Sequence, residues 1–236
     1  MKNLQETGTY LEDKAKLYRN ISIIFFAIGG FVLLVSYFIM SLTLIFIFII
    51  IILLSIGMIF LKFYFNYSKG LQGERITIEA LQNLPDSYFL INDVNLPNGF
   101  GNIDHIVLGS NGIFVIETKN FNGEIRCEKD VWYKYNYIRI ISEEHKIKSP
   151  SKQVKRNALK LKQYIESKNI FNKSLKLWVE GMVVFTKDNA ILSCENPTVP
   201  ILKVNQLCNY IRNKESKIKI SSQELEKVTK ILLRQV

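Results

Sequence analysis

Gly101-Asn102-Ile103-Asp104-His105-Ile106-Val107-Leu108-Gly109, then Ser110-Asn111-Gly112, then Ile113-Phe114-Val115-Ile116-Glu117-Thr118-Lys119 is the stretch that decides how this chain folds. Two runs rich in β-branched residues flank Asn-Gly, the strongest short-range signal for a β-hairpin, because both turn residues must tolerate positive φ. With Asn111 and Gly112 as the central turn residues, directly opposed positions have numbers adding to 223, so Glu117 faces Ile106 and Asp104 faces Lys119. Opposed residues share a face, as do residues two apart along a strand. Asp104, Glu117 and Lys119 therefore project together from one face of two otherwise apolar strands. A four-residue loop preserves this grouping, whereas a three-residue loop moves Asp104 to the other face.

Two carboxylates held close together repel by about 4 kcal/mol at roughly 4 Å and an effective dielectric near 20. A bound divalent cation removes that penalty, and an all-oxygen donor set suits Mg²⁺ or Mn²⁺. A lysine beside such an ion can hold an attacking water and offset charge on a phosphate. The competing expectation is a strand edge facing solvent, with Asp104 paired to Lys119 and Glu117 pointing into water. His105 points by alternation to the opposite face, where a packed or hydrogen-bonded imidazole is expected rather than a ligand. Three cysteines (Cys127, Cys194, Cys208) without CxxC spacing argue against a disulfide framework or a structural zinc site.

Outward from the hairpin, residues 74–84 place Ile76, Ile78, Ala80, Leu81 and Leu84 on one helix stopped by Pro85, with Gly70-Leu71-Gln72-Gly73 as the junction before it. Residues 88–94 read as a strand, followed by a turn cluster at Leu96-Pro97-Asn98-Gly99. Residues 124–127 and 131–141 suggest a more polar meander, in which Trp132, Tyr133, Tyr135 and Tyr137 either stack on bases or serve an ordinary strand. Ser149-Pro150 opens a helix as N-cap and first helical residue, running to about Ser167. Residues 177–186 and 199–204 read as strands, and 205–213 and 222–234 as helices, the last opened by a Ser221–Glu224 capping box. The order is that of an α/β domain with a mixed sheet.

The chain has 236 residues, 48% of them hydrophobic, yet carries 31 Lys+Arg and 21 Asp+Glu for a net +10. The two facts are compatible because residues 21–61 contain no charged side chain at all. That segregation excludes both a uniformly soluble protein and a multi-span transporter. One helix over this block would be about 60 Å long, twice the hydrocarbon thickness, so two spans with a turn near Ser41-Leu42-Thr43 are expected. Lys14, Lys16 and Arg19 before the block and Lys62, Lys69 and Arg75 after it place both ends in the cytoplasm. A signal peptide is the rival, but the apolar run is too long and no small-residue cleavage site follows it. The expected organisation is a cytoplasmic N-terminal tail at 1–20, two spans within 21–61, a globular domain at 70–190, and a strand and helices at 191–236 completing it.

Several separated motifs resemble the nuclease-related domain (NERD), a branch of the PD-(D/E)XK nuclease-like superfamily. They are Gly70-Leu71-Gln72-Gly73-Glu74, Gly101-Asn102-Ile103-Asp104-His105, the run from Asn111 to Asn120 containing Glu117-Thr118-Lys119, Gly123 with Trp132, and Gln153 with Asn157 on the Ser149-Pro150 helix. The resemblance covers about residues 70–190. It implies a restriction-endonuclease-like core of order αβββαβ and Mg²⁺-dependent hydrolysis of phosphodiesters. It also implies Asp104 and Glu117 as metal ligands joined by the Thr118 carbonyl, Lys119 as the water-positioning lysine, Glu74 as an assisting acid, and Gln153 as orienting Lys119 or the phosphate. Ile103 stands where the superfamily's nominal proline would be.

Residues 146–162 hold seven basic side chains and no acid, among them Lys148, Lys152, Lys155 and Arg156. A basic surface beside a metal site suits a nucleic acid, DNA above all, while anionic lipid and plain solvation are the alternatives. The reading is a two-span protein of the cell membrane carrying a cytoplasmic DNA-hydrolysing domain. The competing classes are a catalytically inactive module that binds nucleic acid or anionic lipid, and a protein-interaction scaffold at the membrane.

Overall fold

Alternating apolar residues build two sheets in the computed structural model, which describes residues 1–4, 9–38, 43–97, 101–138, 141–171, 177–216 and 219–235. Ser41 and Leu42 of the expected membrane turn, and Asn98 and Gly99 of the turn cluster, lie outside the described residues. The chain divides into two units, residues 9–71 and residues 1–8 with 72–236.

In the larger unit, β1 (Lys2–Asn3), β2 (Phe89–Val94), β3 (Ile103–Gly109), β4 (Gly112–Lys119), β8 (Val179–Phe185) and β10 (Ile201–Lys203) form a mixed sheet in the order β1-β2-β3-β4-β8-β10. β2, β3 and β4 are antiparallel neighbours, whereas β8 joins β4 in parallel. A second sheet has the order β7-β6-β5-β9, from β5 (Gly123–Glu128), β6 (Val131–Ile138), β7 (Ile141–Ile147) and β9 (Ala190–Glu195). The end of helix α2 (Thr43–Leu81) and helix α4 (Leu207–Asn213) cover one face of the larger sheet, with Ile78, Leu81, Leu207 and Ile211 packing on Leu90, Val107, Phe114 and Ile116. The other face buries Ile106, Val115, Val183 and Phe185 against α3 (Pro150–Ser167), α5 (Ser222–Leu232) and Trp132 of the second sheet. In chain order the central elements run α2, β2, β3, β4, α3, β8: the mixed α/β arrangement expected of a restriction-endonuclease-like core.

Ser149 caps α3 by accepting from the Lys152 amide, and Ser221 and Glu224 cap α5 reciprocally, as their sequences predict. Other expectations are corrected. β3 and β4 pair so that opposed numbers add to 221, as in His105 with Ile116 and Gly109 with Gly112. The turn residues are thus Ser110 and Asn111, and Ile106 faces Val115 rather than Glu117. Asn111 is drawn into the turn by its side chain, which accepts from the Tyr88 hydroxyl and donates to the carbonyls of Ile211 and Lys214. Helix α2 runs unbroken through Gly70–Gly73, so no new helix begins there, although the boundary between the two units does fall between Leu71 and Gln72. Those glycines serve close approach: a Cβ on Gly73 would lie 2.8 Å from Cβ of Asn120. The N-terminal residues, read as a tail, include a strand pairing in parallel with β2. β7 was only partly foreseen and β9 not at all.

The smaller unit is α1 (Thr9–Phe38) with the first part of α2. Two segments, Tyr10–Tyr37 and Leu44–Leu81, are long and apolar enough to cross a membrane. Only 11% and 6% of their most apolar windows are buried, the reverse of a soluble core helix. The two helices meet where Ser22 donates to the Gly57 carbonyl at 2.9 Å, beneath the ring of Phe26, and Tyr18 stacks on Phe60 and Tyr67.

Candidate active site

The charged residues collect at the sheet end where β2 and β4 stop and β3 begins. A register of 221 differs from 223 by two, so the parity is unchanged and Asp104, Glu117 and Lys119 stay on one face. Glu117 is 2% exposed, which removes the solvent-facing strand edge as a reading. It is Glu117, not Asp104, that takes the Lys119 ammonium as ion-pair partner, through Oε1. Asp104 Oδ2 accepts the Thr118 amide at 2.9 Å. Thr118, expected to lend its carbonyl, thus contributes its N–H here, while its hydroxyl meets that of Thr77 on α2 at 3.1 Å.

Glu74 comes to the same end from α2, is 7% exposed, and its buried Oε2 has no hydrogen-bond partner among the described residues. Sequence reasoning missed a fourth acid, Asp93. It is 8% exposed, and it lies between the pairs Asn92–His105 and Val94–Ile103, hence across from Asp104. Its φ of 53° is a left-handed conformation that Asp tolerates better than most residues. The available signal was a polar Asn92-Asp93 pair inside an apolar strand.

Burial, then the charges of Asp104, Asp93 and Glu117, push the Glu74 carboxyl up to about 9. Burial also raises Asp104, against the pull of Lys119 and the Thr118 amide. Burial and Asp104 raise Glu117, with Lys119 and Arg156 opposing. Burial works against the Lys119 ammonium, but Glu117 and Asp104 outweigh it and hold its pKa above the ordinary lysine value. Burial and mutual repulsion thus raise the carboxyls of Glu74, Asp104 and Glu117 around one lysine. An orphaned carboxylate oxygen and an all-oxygen donor set fit a hard divalent cation. Among the described residues no three His, Cys, Asp or Glu are grouped to hold an ion together. Asp104 and Glu117 would therefore hold it with water or substrate oxygens, as Mg²⁺ commonly is.

Gln153 lies half-buried in the first turn of α3, and no hydrogen bond joins its side chain to Lys119 among the described residues. Of the expected basic contacts, Lys148, Lys152 and Arg156 are exposed, and Arg156 is near enough to act on Glu117. Lys155 instead pairs with Asp130 at 2.6 Å. Trp132 is core: fully buried, stacked on Phe185, its Nε1 donating to Ser151. His105 is buried on the α2 face with Nδ1 2.8 Å from Asn92 Oδ1, the packed imidazole that alternation predicts.

An uncharacterized protein of Bacillus anthracis is 41% identical over 61 residues, covering 24% of this chain. The chain spans 29% of the length of that relative. No solved structure matches. The model of the family described as the nuclease-related domain matches residues 69–186. That match holds half of the chain and includes Glu74, Asp93, Asp104, Glu117 and Lys119, so the chain belongs to the nuclease-related domain (NERD) family.

Proposed function

We propose that this protein is a membrane-anchored nuclease that hydrolyses DNA phosphodiester bonds with Mg²⁺ or Mn²⁺, its hairpin in the cell membrane and its larger unit in the cytoplasm. The observation that carries the reading is the buried Glu117–Lys119 pair beside Asp104 at a sheet end where acids outnumber the lysine. When bound, the cation supplies Lewis-acid stabilisation of phosphate charge and acidifies a water.

The chain's own residues do the rest. Asp104, oriented by the Thr118 amide, and Glu117 present oxygens from adjacent strands, so their spacing is set by the ladder and not by flexible loops. Lys119 projects beside them, paired with Glu117, and would orient the attacking water and meet a phosphate oxygen. Glu74, held up to about 9 by burial and by the neighbouring acids, keeps a proton at ordinary pH that it would be able to donate. Arg156, Lys152 and Lys148 supply sequence-independent attraction for the phosphate backbone.

One assay tests chemistry and sidedness together. Inverted membrane vesicles carrying the full chain are expected to nick added plasmid when Mg²⁺ is present, while right-side-out vesicles do so only after permeabilisation. Lys119→Ala should lower the rate by about 10²–10³-fold, the usual effect of losing one transition-state contact, and Glu117→Ala by at least as much. Cleavage that survives both substitutions, or never occurs with either cation although DNA binds, sinks the hydrolase reading. Cleavage by intact right-side-out vesicles sinks the topology.

A further inference from the structure

A second polar network abuts the carboxylates on the α2 side. β8 ends at Phe185, opposite Lys119, and the next residue is tied back to that end. The Thr186 amide donates to the Lys119 carbonyl at 3.1 Å, and its hydroxyl donates to Asn120 Oδ1 at 2.8 Å. Asn120 Nδ2 reaches Gln72 Oε1 at 3.4 Å, and the Lys187 ammonium donates to that same oxygen at 3.3 Å. Gln72 stands two residues before Glu74 on α2, so the network ties Lys187 to the helix that carries the assisting acid. The loop around Lys187 is fixed as well: the Ala190 amide donates to the Lys187 carbonyl at 3.2 Å, and Lys203 Nζ donates to the Asp188 carbonyl at 2.9 Å.

The partner of Lys187 is a neutral amide. Lys119, Lys155 and Lys214 each face an acid within ion-pair distance. Among the described residues Lys187 faces none, and it is not among the leading charges acting on Glu74, Asp104 or Glu117. Ordering a lysine costs about 2 kcal/mol of side-chain freedom, more than one bond to an amide returns. A positioned ammonium with no counter-charge, on the rim of a site that takes a polyanion, is suited to an external anion. Because Asn120 alternates with Lys119, this ammonium belongs to the sheet face opposite Lys119 and Arg156.

We propose that Lys187 is a phosphate-binding residue, contacting a backbone phosphate of the nucleic acid on the α2 side of the sheet end, with Gln72 setting its position. The proposal rests on the nuclease reading for its substrate class, but its test reads binding separately from cleavage. Full-length protein in detergent micelles is titrated into a short fluorescein-labelled DNA duplex in EDTA over a series of salt concentrations. Lys187→Gln is expected to weaken binding similarly for unrelated sequences and to reduce the slope of log K against log salt by about 1. Lys187→Arg should restore it. Under Mg²⁺ the glutamine variant should raise KM about tenfold with a much smaller change in kcat, while Lys119→Ala acts on kcat.

If the wild type cuts but Lys187→Gln leaves salt slope and KM unchanged, or lowers kcat alone, the proposal is overturned and the nuclease reading stands. If the wild type binds without cutting and the slope still falls, the nuclease reading fails and the phosphate contact is supported. Absence of DNA binding by the wild type overturns the proposal. A thermal melt of Lys187→Gln matching the wild type confirms that a changed slope reports the lost charge and not misfolding.

Discussion

Burial of His105 inside the sheet holds its imidazole down to about 3, because nothing there compensates a positive ring. Asn92 Oδ1 can only accept, so Nδ1 carries the proton, and Nε2 is left without a partner among the described residues. The unfolded chain binds this proton near pH 6.5, far above the folded value. The contribution of neutral His105 is therefore complete above about pH 6.5 and is lost as pH falls toward 3, at about 1.4 kcal/mol per pH unit. Glu74 acts with the opposite sign: held up to about 9, it favours the folded state fully below 4.5, and that contribution disappears as pH rises through 9. Comparison with His105→Gln cancels the carboxylate effect. Between about pH 7.5 and about pH 5, the wild type should lose about 2 kcal/mol of unfolding free energy relative to the variant, read from denaturant melts in detergent. A flat difference curve would mean that the ring takes up its proton while folded.

Gly73 shows how an element is placed for function. In a helix interior, Gly→Ala ordinarily gains about 1 kcal/mol. Here the new Cβ would lie 2.8 Å from Asn120 Cβ and 3.3 Å from Thr118 Cγ2, both fixed at the end of β4. Overpacking costs about 1–3 kcal/mol, so Gly73→Ala should lower the melting temperature instead of raising it. It should also depress DNA cleavage more than stability, because Glu74 is the next residue. A higher melting temperature with unchanged cleavage would show that α2 does not rest on β4 there. The same elements mark what the sequence disclosed. The β3–β4 face was legible because side-chain orientation depends only on register parity, and the two-residue slide at Asn111 left parity intact. α3 and α5 were legible through their caps. Asp93 was not, because its place opposite Asp104 follows from the β2–β3 register and no tight turn in the sequence sets that register. β9 escaped because it pairs in parallel with β5 across a long separation, and because the outward Ile191 blurs the alternation that turns Ala190, Leu192 and Cys194 inward. Gly70 and Gly73 were read as a break, since a sequence shows a missing side chain but not the neighbour that requires its absence.

The larger unit is not contiguous in the chain: residues 1–8 belong to it, residues 9–71 do not, and it resumes at Gln72. The apolar helices are thus inserted after β1 and do not merely precede the domain. This matters for any attempt to free the domain from the hairpin. Cutting ahead of Gln72 removes β1 with the helices, and with it the Lys2 amide bonded to the Tyr88 carbonyl and the Leu4 amide bonded to the Leu90 carbonyl. It also removes the Asn3 oxygen that Asn92 Nδ2 meets at 3.4 Å, and so loosens the amide that orients His105. The β2 edge is then left open, a row of unpaired backbone groups of the kind that invites association between chains. Hydrogen bonds of this sort contribute about 1 kcal/mol each, so the truncated chain should be about 2 kcal/mol less stable than one in which 9–71 is replaced by a flexible Gly/Ser linker. For a unit of this size that corresponds to roughly 4–8 °C in Tm. Thermal melts of the two variants, with light scattering to register aggregation, test the point. Equal melting temperatures would mean that β1 adds nothing to the sheet. A deficit confined to the truncated chain would mean that the two apolar helices interrupt a domain whose first strand precedes them in the chain, and that this unit must be freed by internal deletion and not by truncation.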